Sequence, residues 1–293
     1  MLAKIINGKK FSQEIELGIS NKIKMYTKSG RNPPGLSIIS IGENPASIVY
    51  IQRKKEACQR VGIIFNHWNF STKTNENQIL NLIKKLNTDS LTNGILVQFP
   101  IDQKFNSLKI ISHINPEKDV DGLHPFNIGC LVQKKPIFRP CTPKGIITLL
   151  KKEKINLRSL HSVIVGASNI VGRPMSMEML LEGCTTTITH RFTKELKRYT
   201  KQADILIIAV GKPFFINKSW IKKGSIVIDV GINKLKNNKI VGDVDFISVS
   251  SKASYVTPVP GGVGPMTIVS LLENTMIAYE KTKNYLFFSP SCG

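Results

Sequence analysis

Tyr50 and Lys54 stand four residues apart, and Lys54 falls among apolar residues, where an ammonium is out of place. On a helix, residues at i and i+4 stack about 6 Å apart along the axis and look in one direction. A lysine held there is partly desolvated. That favours the neutral amine, lowers the pKa and suits the group to proton transfer beside an aromatic ring. The alternative is a snorkelling lysine, whose stem covers apolar surface while its head reaches water.

The element that must position this pair is written in the same stretch. Asn44 supplies a cap, Pro45 a first-turn residue and Gly62 a stop, so the segment predicts a helix. Advancing about 100° per residue gathers Ile51, Ala57, Cys58 and Val61 on one arc, together with Tyr50 and Lys54. Gln52, Arg53, Glu56, Gln59 and Arg60 collect opposite.

A second constellation runs from Val163 to Pro174: an apolar strand, a turn at Gly166 and a helix start. Gly166 frees the backbone to turn, and a helix amino terminus beyond it presents N–H groups to a diphosphate. The usual G-x-G-x-x-G spacing is broken. Ser168 and Val171 hold the second and third glycine positions, with Gly172 one residue late. After the next strand, where an NAD enzyme usually carries an acidic residue, the chain has His190-Arg191, which favours a 2′-phosphate and therefore NADP. An ordinary surface arginine at a strand end is the other reading. Ala209-Val210-Gly211 and Asp229-Val230-Gly231 are further strand ends followed by glycine turns, of the kind that line a ligand crevice in a parallel sheet.

Across the whole chain, apolar runs alternate with helical patterns, predicting an α/β fold of two α/β domains around a cleft. The second is Rossmann-like, with a mostly parallel sheet. Strands are expected at Leu36–Ile41, Ile63–Phe70, Gly94–Phe99, Ser162–Val165, Thr185–Thr189, Asp204–Val210, Ser225–Val230 and Tyr255–Thr257. Helices are expected near Asn75–Leu86, Pro174–Leu181 and Met266–Glu280, with linkers near Pro136–Pro143 and Pro258–Pro265. The division reads as residues 1–138 plus a returning helix at about 266–283, then 139–265, then an apolar tail at 284–293.

With 293 residues, 41% of them hydrophobic and 21% charged, the chain is a globular protein with room for two modest cores. The amino terminus lacks the apolar segment of a signal peptide, and no apolar run is long enough to span a bilayer, so a cytoplasmic protein without membrane contact is expected. Five scattered cysteines and five histidines fall at no ligand spacing, so no metal and no disulfide framework are expected. The net charge of +21 comes mainly from lysines spread beside many Asn and Ile. Without arginine-rich or aromatic-interleaved runs it predicts no nucleic-acid partner, although a basic surface attracts polyanionic small substrates.

Further segments are specific enough to carry a resemblance. Gly42-Glu43-Asn44-Pro45-Ala46-Ser47 runs into Tyr50-x-x-x-Lys54. Val97-Gln98-Phe99-Pro100, Pro116 to Gly122, Pro140-Cys141-Thr142-Pro143 and Thr257 to Thr267 follow. With the Gly166 turn, the chain from about residue 3 to residue 280 resembles the bifunctional methylenetetrahydrofolate dehydrogenase and methenyltetrahydrofolate cyclohydrolase family. The resemblance implies a cytosolic homodimer that oxidises 5,10-methylenetetrahydrofolate with NADP and hydrolyses the methenyl product to 10-formyltetrahydrofolate, one cleft serving both reactions. It places the enzyme in one-carbon metabolism, serving purine, methionine and histidine biosynthesis.

By the same analogy Lys54 is the central catalytic residue, Tyr50 stacks on and orients the folate, Gln98 bonds near Lys54, and Asp121 holds the pterin. Ser47, Pro258 and Gly262 also line the substrate site, and Gly166, Ala167, Ser168, Arg191 and Ile232 contact the dinucleotide. The residue types suit these roles. A neutral lysine can take a proton from water and return one to a departing nitrogen. An amide such as Gln98 supplies donor and acceptor without a competing charge, and a carboxylate such as Asp121 accepts paired hydrogen bonds from an aminopyrimidine edge. Some family members carry arginine after the first glycine, where this chain has Ala167; Arg191 can substitute. A monofunctional dehydrogenase and a basic non-catalytic binding protein are the competing readings. Retention of Tyr50, Lys54, Gln98 and Asp121 argues against the first.

Overall fold

A computed structural model describes residues 2–287. In chain order its elements are β1 (Lys4–Ile5), α1 (Gly8–Lys28), β2 (Gly35–Ile41), α2 (Pro45–Val61), β3 (Ile64–Phe70), α3 (Glu76–Thr88), β4 (Gly94–Val97), α4 (Ser107–Ser112), α5 (Pro125–Val132), α6 (Cys141–Lys152), β5 (His161–Val165), α7 (Gly172–Leu181), β6 (Thr185–Thr189), α8 (Leu196–Thr200), β7 (Ile205–Ile208), β8 (Ile226–Asp229), β9 (Asn233–Lys234), β10 (Ile240–Val241), α9 (Phe246–Ser250), β11 (Tyr255–Val256) and α10 (Val263–Phe287). They fall into two compact units. One holds Glu14–Cys130, Pro136–Cys141 and the chain from Ile268; the other holds the chain through Gln13, Leu131–Lys135 and Thr142–Thr267.

The first unit is built on a parallel sheet in the order β3-β2-β4. β2 is central and buried along its whole length, which its run of Leu, Ile and Ser permits, whereas β3 is an edge strand with much of its length exposed. α3 shows why the sequence folds this way locally. Asn75 caps it by accepting from the Asn77 N–H at 2.9 Å, and Ile79, Ile83 and Leu86 recur at helical spacing. These three pack with Ile39, Ile95, Val97 and Ile110 in one core cluster. The part of α10 in this unit is anchored by Tyr279, whose hydroxyl donates to the Asn32 carbonyl at 2.8 Å.

In the second unit six parallel strands run in the order β1-β11-β8-β7-β5-β6. From β5 the chain turns to one side for β6 and to the other for β7, so the carboxyl ends of β5 and β7 meet at the switch point where such sheets bind ligands. β7 is a fully buried run of Ile and Leu, and β8 a buried Ile-Val-Ile run ending at the buried Asp229, as a sheet covered on both faces requires.

Several element boundaries differ from the sequence expectation. The amino terminus, assigned to the first domain, pairs through β1 with β11 in the six-stranded sheet; two strand residues are too short to show periodicity. β4 ends at Val97 rather than Phe99, although the Gln98 N–H still bonds to Ile39 O at 2.8 Å. α6 and α10 begin inside the two proline-containing linkers, since proline is accepted in a first helical turn. α10 also continues to Phe287, into the segment read as a tail; residues 288–293 of that tail lie outside the described residues.

Candidate active site

α2 forms as its caps dictate. Asn44 Oδ1 accepts from the Ser47 N–H at 3.2 Å, and Gly62, at φ +90°, closes the helix with its N–H on Cys58 O at 2.9 Å. Ile51, Lys54, Ala57, Cys58 and Val61 are buried, and the charged arc is exposed. Lys54 therefore sits in the apolar stripe with only 6% of its surface exposed. Its head does not snorkel: Nζ donates to Gln98 Oε1 at 2.8 Å. Burial lowers its pKa, against the opposing pull of Asp121, Cys141 and Cys58. Tyr50, one turn earlier and partly exposed, has its phenol pushed up to about 12 by burial, slightly offset by Arg53.

Gln98 and Asp121 reach Lys54 through the sheet. Residues 118–121 run beside the free edge of β4, with Ile95 bridged in parallel to Asp119, so the chain carries Gln98 and Asp121 toward the same end. Gly94 makes this close approach possible, because a Cβ there would lie 2.8 Å from the Val120 methyls. Gln98 Nε2 donates to Phe99 O at 2.7 Å, which turns its amide oxygen toward the lysine. Burial raises the pKa of Asp121, while Lys54 and the Cys141 thiol pull it down. Burial disfavours the charged form of each group, and the attraction between them opposes both shifts.

Two groups that the sequence reading missed hold Asp121 in place. Asp119 accepts from the His124 N–H at 2.8 Å and from Asn127 Nδ2 at 2.7 Å, fixing the turn. Asn274 on α10 donates to Val120 O at 2.9 Å and to Arg139 O at 3.0 Å. The Asp119-x-Asp121 pair was the only available signal for the first. Nothing local announces Asn274, since its partners lie far back in the chain. Ser47 also belongs here, buried, with its hydroxyl donating to Phe99 O at 3.2 Å. A cavity of about 460 Å³ lined by Ser40, Ser47, Ile51, Gln52, His67 and Gln98 opens in the same unit, but Lys54, Tyr50 and Asp121 do not line it.

In the six-stranded unit, Gly166 has φ +118°, and a Cβ there would fall 2.3 Å from Ala209 O at the end of β7. Only glycine closes this turn. Gly172, displaced by one residue from the usual spacing, does the close-packing work of a third glycine: its Cβ position is 1.9 Å from Gly166 O. Ser168, at the second glycine position, is exposed, and its Oγ accepts from the Val171 N–H at 3.2 Å and the Gly172 N–H at 3.4 Å. It thus caps α7. Ala167 is half-buried in the turn, and Ile232 is 41% exposed in the loop after β8. Arg191 is exposed just beyond β6, stacked on the Phe192 ring at 4.7 Å. A glycine cradle that a Cβ would fill, at a helix start and a switch point, fits the pyrophosphate of a dinucleotide. Ser47, Tyr50, Lys54, Gln98 and Asp121 are thus together in one unit. Pro258 and Gly262 lie in the other, in a turn where a Gly262 Cβ would meet Pro258 O at 2.6 Å.

A Rossmann-type sheet with a glycine-built phosphate turn, in a chain that also buries a lysine between an amide and a carboxyl, defines a nucleotide-dependent enzyme of the α/β class. Residues 6–121 match the catalytic domain of tetrahydrofolate dehydrogenase/cyclohydrolase, and residues 140–283 match its NAD(P)-binding domain. The chain belongs to the tetrahydrofolate dehydrogenase/cyclohydrolase family and is a bifunctional enzyme of one-carbon folate metabolism, both oxidoreductase and hydrolase.

Solved structures agree. The bifunctional methylenetetrahydrofolate dehydrogenase/cyclohydrolase FolD of Campylobacter jejuni is 43% identical, with a TM-score of 0.92 over 96% of this chain and 99% of that one. The bifunctional enzyme of Thermoplasma acidophilum is 34% identical, with a TM-score of 0.88 over 96% and 100%. The Trypanosoma brucei enzyme, solved with NADP cofactor and inhibitor, is 29% identical, with a TM-score of 0.92 over 97% and 99%.

Proposed function

We propose that Lys54 is the proton-transfer group of the hydrolase step, that Gln98 orients it, and that Tyr50, Ser47 and Asp121 hold the folate. The observation that carries this reading is the 2.8 Å bond between Lys54 Nζ and Gln98 Oε1, in a buried setting that lowers the amine's pKa. In hydration of the methenyl cation, a neutral Lys54 takes a proton from the attacking water. It returns one to the departing ring nitrogen as the five-membered ring opens to the 10-formyl product. Gln98 keeps the amine's lone pair aimed without adding charge. Asp121 accepts from the aminopyrimidine edge when ionised, and when protonated it offers a donor as well.

NADP, held at this edge, would supply the acceptor for the hydride that leaves the methylene carbon. The chain's part in that step is alignment: the Gly166 turn and the start of α7 seat the pyrophosphate, and Ala167, Ser168 and Ile232 border the dinucleotide. Arg191 pairs with the 2′-phosphate and sets the preference for NADP over NAD. Pro258 and Gly262 are assigned to folate binding by the family resemblance alone. The enzyme works as a cytoplasmic homodimer, for which the family resemblance and the exposed edge strand β3, with Ile64 and Trp68 outward, are the support. Among the described residues no helix is long and apolar enough to cross a membrane. Through one-carbon metabolism the enzyme serves purine, methionine and histidine biosynthesis, as the family resemblance implies.

The test is to mix the protein with 5,10-methylenetetrahydrofolate and NADP and follow NADPH, methenyl and 10-formyl species together, with NAD in parallel. NADPH accompanied by enzymatic 10-formyl formation is the expected result. Methenyl accumulating at its spontaneous hydrolysis rate would remove Lys54 from its assigned role, and faster reduction of NAD would overturn the Arg191 assignment.

A further inference from the structure

Asp243 belongs to none of the motifs above, yet it is fully buried at the carboxyl edge of the six-stranded sheet and its carboxylate accepts four hydrogen bonds. Oδ2 accepts from the N–H groups of Val210 at 2.7 Å and Gly211 at 2.9 Å. Oδ1 accepts from the Lys212 N–H at 2.9 Å and from Asn233 Nδ2 at 2.8 Å. Three successive N–H groups after β7 are an anion-binding nest, and the chain fills that nest with its own carboxylate. Its fourth donor, Asn233, is the first residue of β9, next to Ile232.

The carboxylate is itself held. Asp229, the last residue of β8, accepts from the N–H groups of Gly231 and Asp243 at 2.9 Å each and from the Val244 N–H at 3.0 Å. Gly231 leaves room for the arrangement, since a Cβ there would lie 2.2 Å from the Asp243 carboxylate. None of the four donors to Asp243 belongs to the interior of a strand or helix. Three come from one loop and the fourth from the first residue of β9, and that loop follows directly on Ala209, whose carbonyl packs against Gly166.

We infer that Asp243 is a positioning residue for the dinucleotide: by joining loop 210–212 to the start of β9 at Asn233 it fixes the rim of the cofactor crevice and directs the phosphate to the Gly166 turn. The inference rests on the nucleotide reading of this sheet edge. A buried carboxylate with four donors is strongly directional, and replacing one oxygen by an NH₂ sets donor against donor.

The experiment is fluorescence titration of NADP on the full chain and on Asp243→Asn and Asn233→Ala, with KM and kcat of both reactions, the hydrolase being assayed on methenyltetrahydrofolate supplied directly. Asp243→Asn is expected to raise the NADP dissociation constant and KM by about 10- to 100-fold, with kcat changing less, and Asn233→Ala by about 3- to 10-fold. Hydrolase turnover should stay within about 2-fold in both, because it does not depend on the joined loops. Unchanged NADP affinity in both variants overturns the inference while leaving the nucleotide reading intact. Hydrolase loss in parallel with NADP affinity in both overturns it as well, by exposing a general loss of fold. If Asp243→Asn does not fold, Asn233→Ala decides in either direction. A parent protein that binds neither NADP nor NAD overturns the nucleotide reading and the inference with it.

Discussion

Around Lys54 the proposed chemistry belongs to side chains whose ionisation the fold has altered; around Gly166 it belongs to backbone that the fold has bent. In the first region a lysine, an amide and a carboxyl are enclosed at the end of β4, and burial pushes lysine and aspartate each toward its neutral form. In the second, the decisive features are a positive φ, two glycines packed against carbonyl oxygens, and N–H groups at a strand end and a helix start. The two regions should therefore fail differently. Loss of a functional group should silence the lysine unit without unfolding it. The nucleotide edge should be most sensitive to addition of a methyl group.

The largest effect expected from this contrast is at Lys54. Lys54→Met keeps the buried volume and removes the amine, so hydration of the methenyl substrate should fall by about 10²- to 10⁴-fold, the usual worth of a positioned general base. NADP affinity, measured by fluorescence titration, should be unchanged; a matching loss of NADP binding would break the separation between the regions. The pH profile sharpens the same point. A base acts when deprotonated, and a lowered pKa brings the neutral amine into the majority at lower pH than an ordinary lysine allows. The hydrolase rate should therefore rise with pH through a value below 10.5, then level off, and this limb should vanish in Lys54→Met. A limb at the ordinary lysine value would mean that the amine is not desolvated in solution.

At the nucleotide edge the corresponding change is Gly166→Ala. The substitution forces a side chain into φ +118° and places its methyl 2.3 Å from Ala209 O. Strain of about 1 to 3 kcal/mol, relieved by moving the turn, should weaken NADP by about 10- to 100-fold while hydrolase activity persists. Intact NADP affinity would show that the cradle is set elsewhere.

These expectations also mark how far the sequence reaches. The lysine was conspicuous because a charge in an apolar stripe breaks a period, and the structure keeps it buried on that stripe with Gln98 as its partner. The Gly166 turn was legible for the same kind of reason, a glycine between an apolar strand and a helix start. Asp119, Asn274, Asp229 and Asp243 were not. Each is a polar residue held mostly by backbone groups, with one side-chain amide added at Asp119 and at Asp243, and backbone groups leave no signature in composition or spacing. β1 was missed because two residues cannot display alternation, and only its pairing with β11 gives it meaning. Gly172 shows the opposite error. Its displacement looked like a weakened fingerprint, yet the close contact with Gly166 O restores the packing that the fingerprint encodes.

Arg191 makes the smallest expected difference and the finest test, because here the nucleotide edge depends on a side chain. It is exposed, stacked on Phe192, and free of any resolved ion pair among the described residues, so its guanidinium is available to a ligand. A charge-assisted contact with a 2′-phosphate is worth about 1.5 to 3 kcal/mol when shielded and less when solvated. Arg191→Ala should therefore reduce NADP affinity by no more than about 10-fold and leave NAD, which lacks that phosphate, almost unaffected. Unlike Gly166→Ala, which should weaken both dinucleotides alike, this variant should change their ratio. Equal losses for NADP and NAD would assign Arg191 to loop structure, and the whole edge would then recognise its ligand through backbone alone.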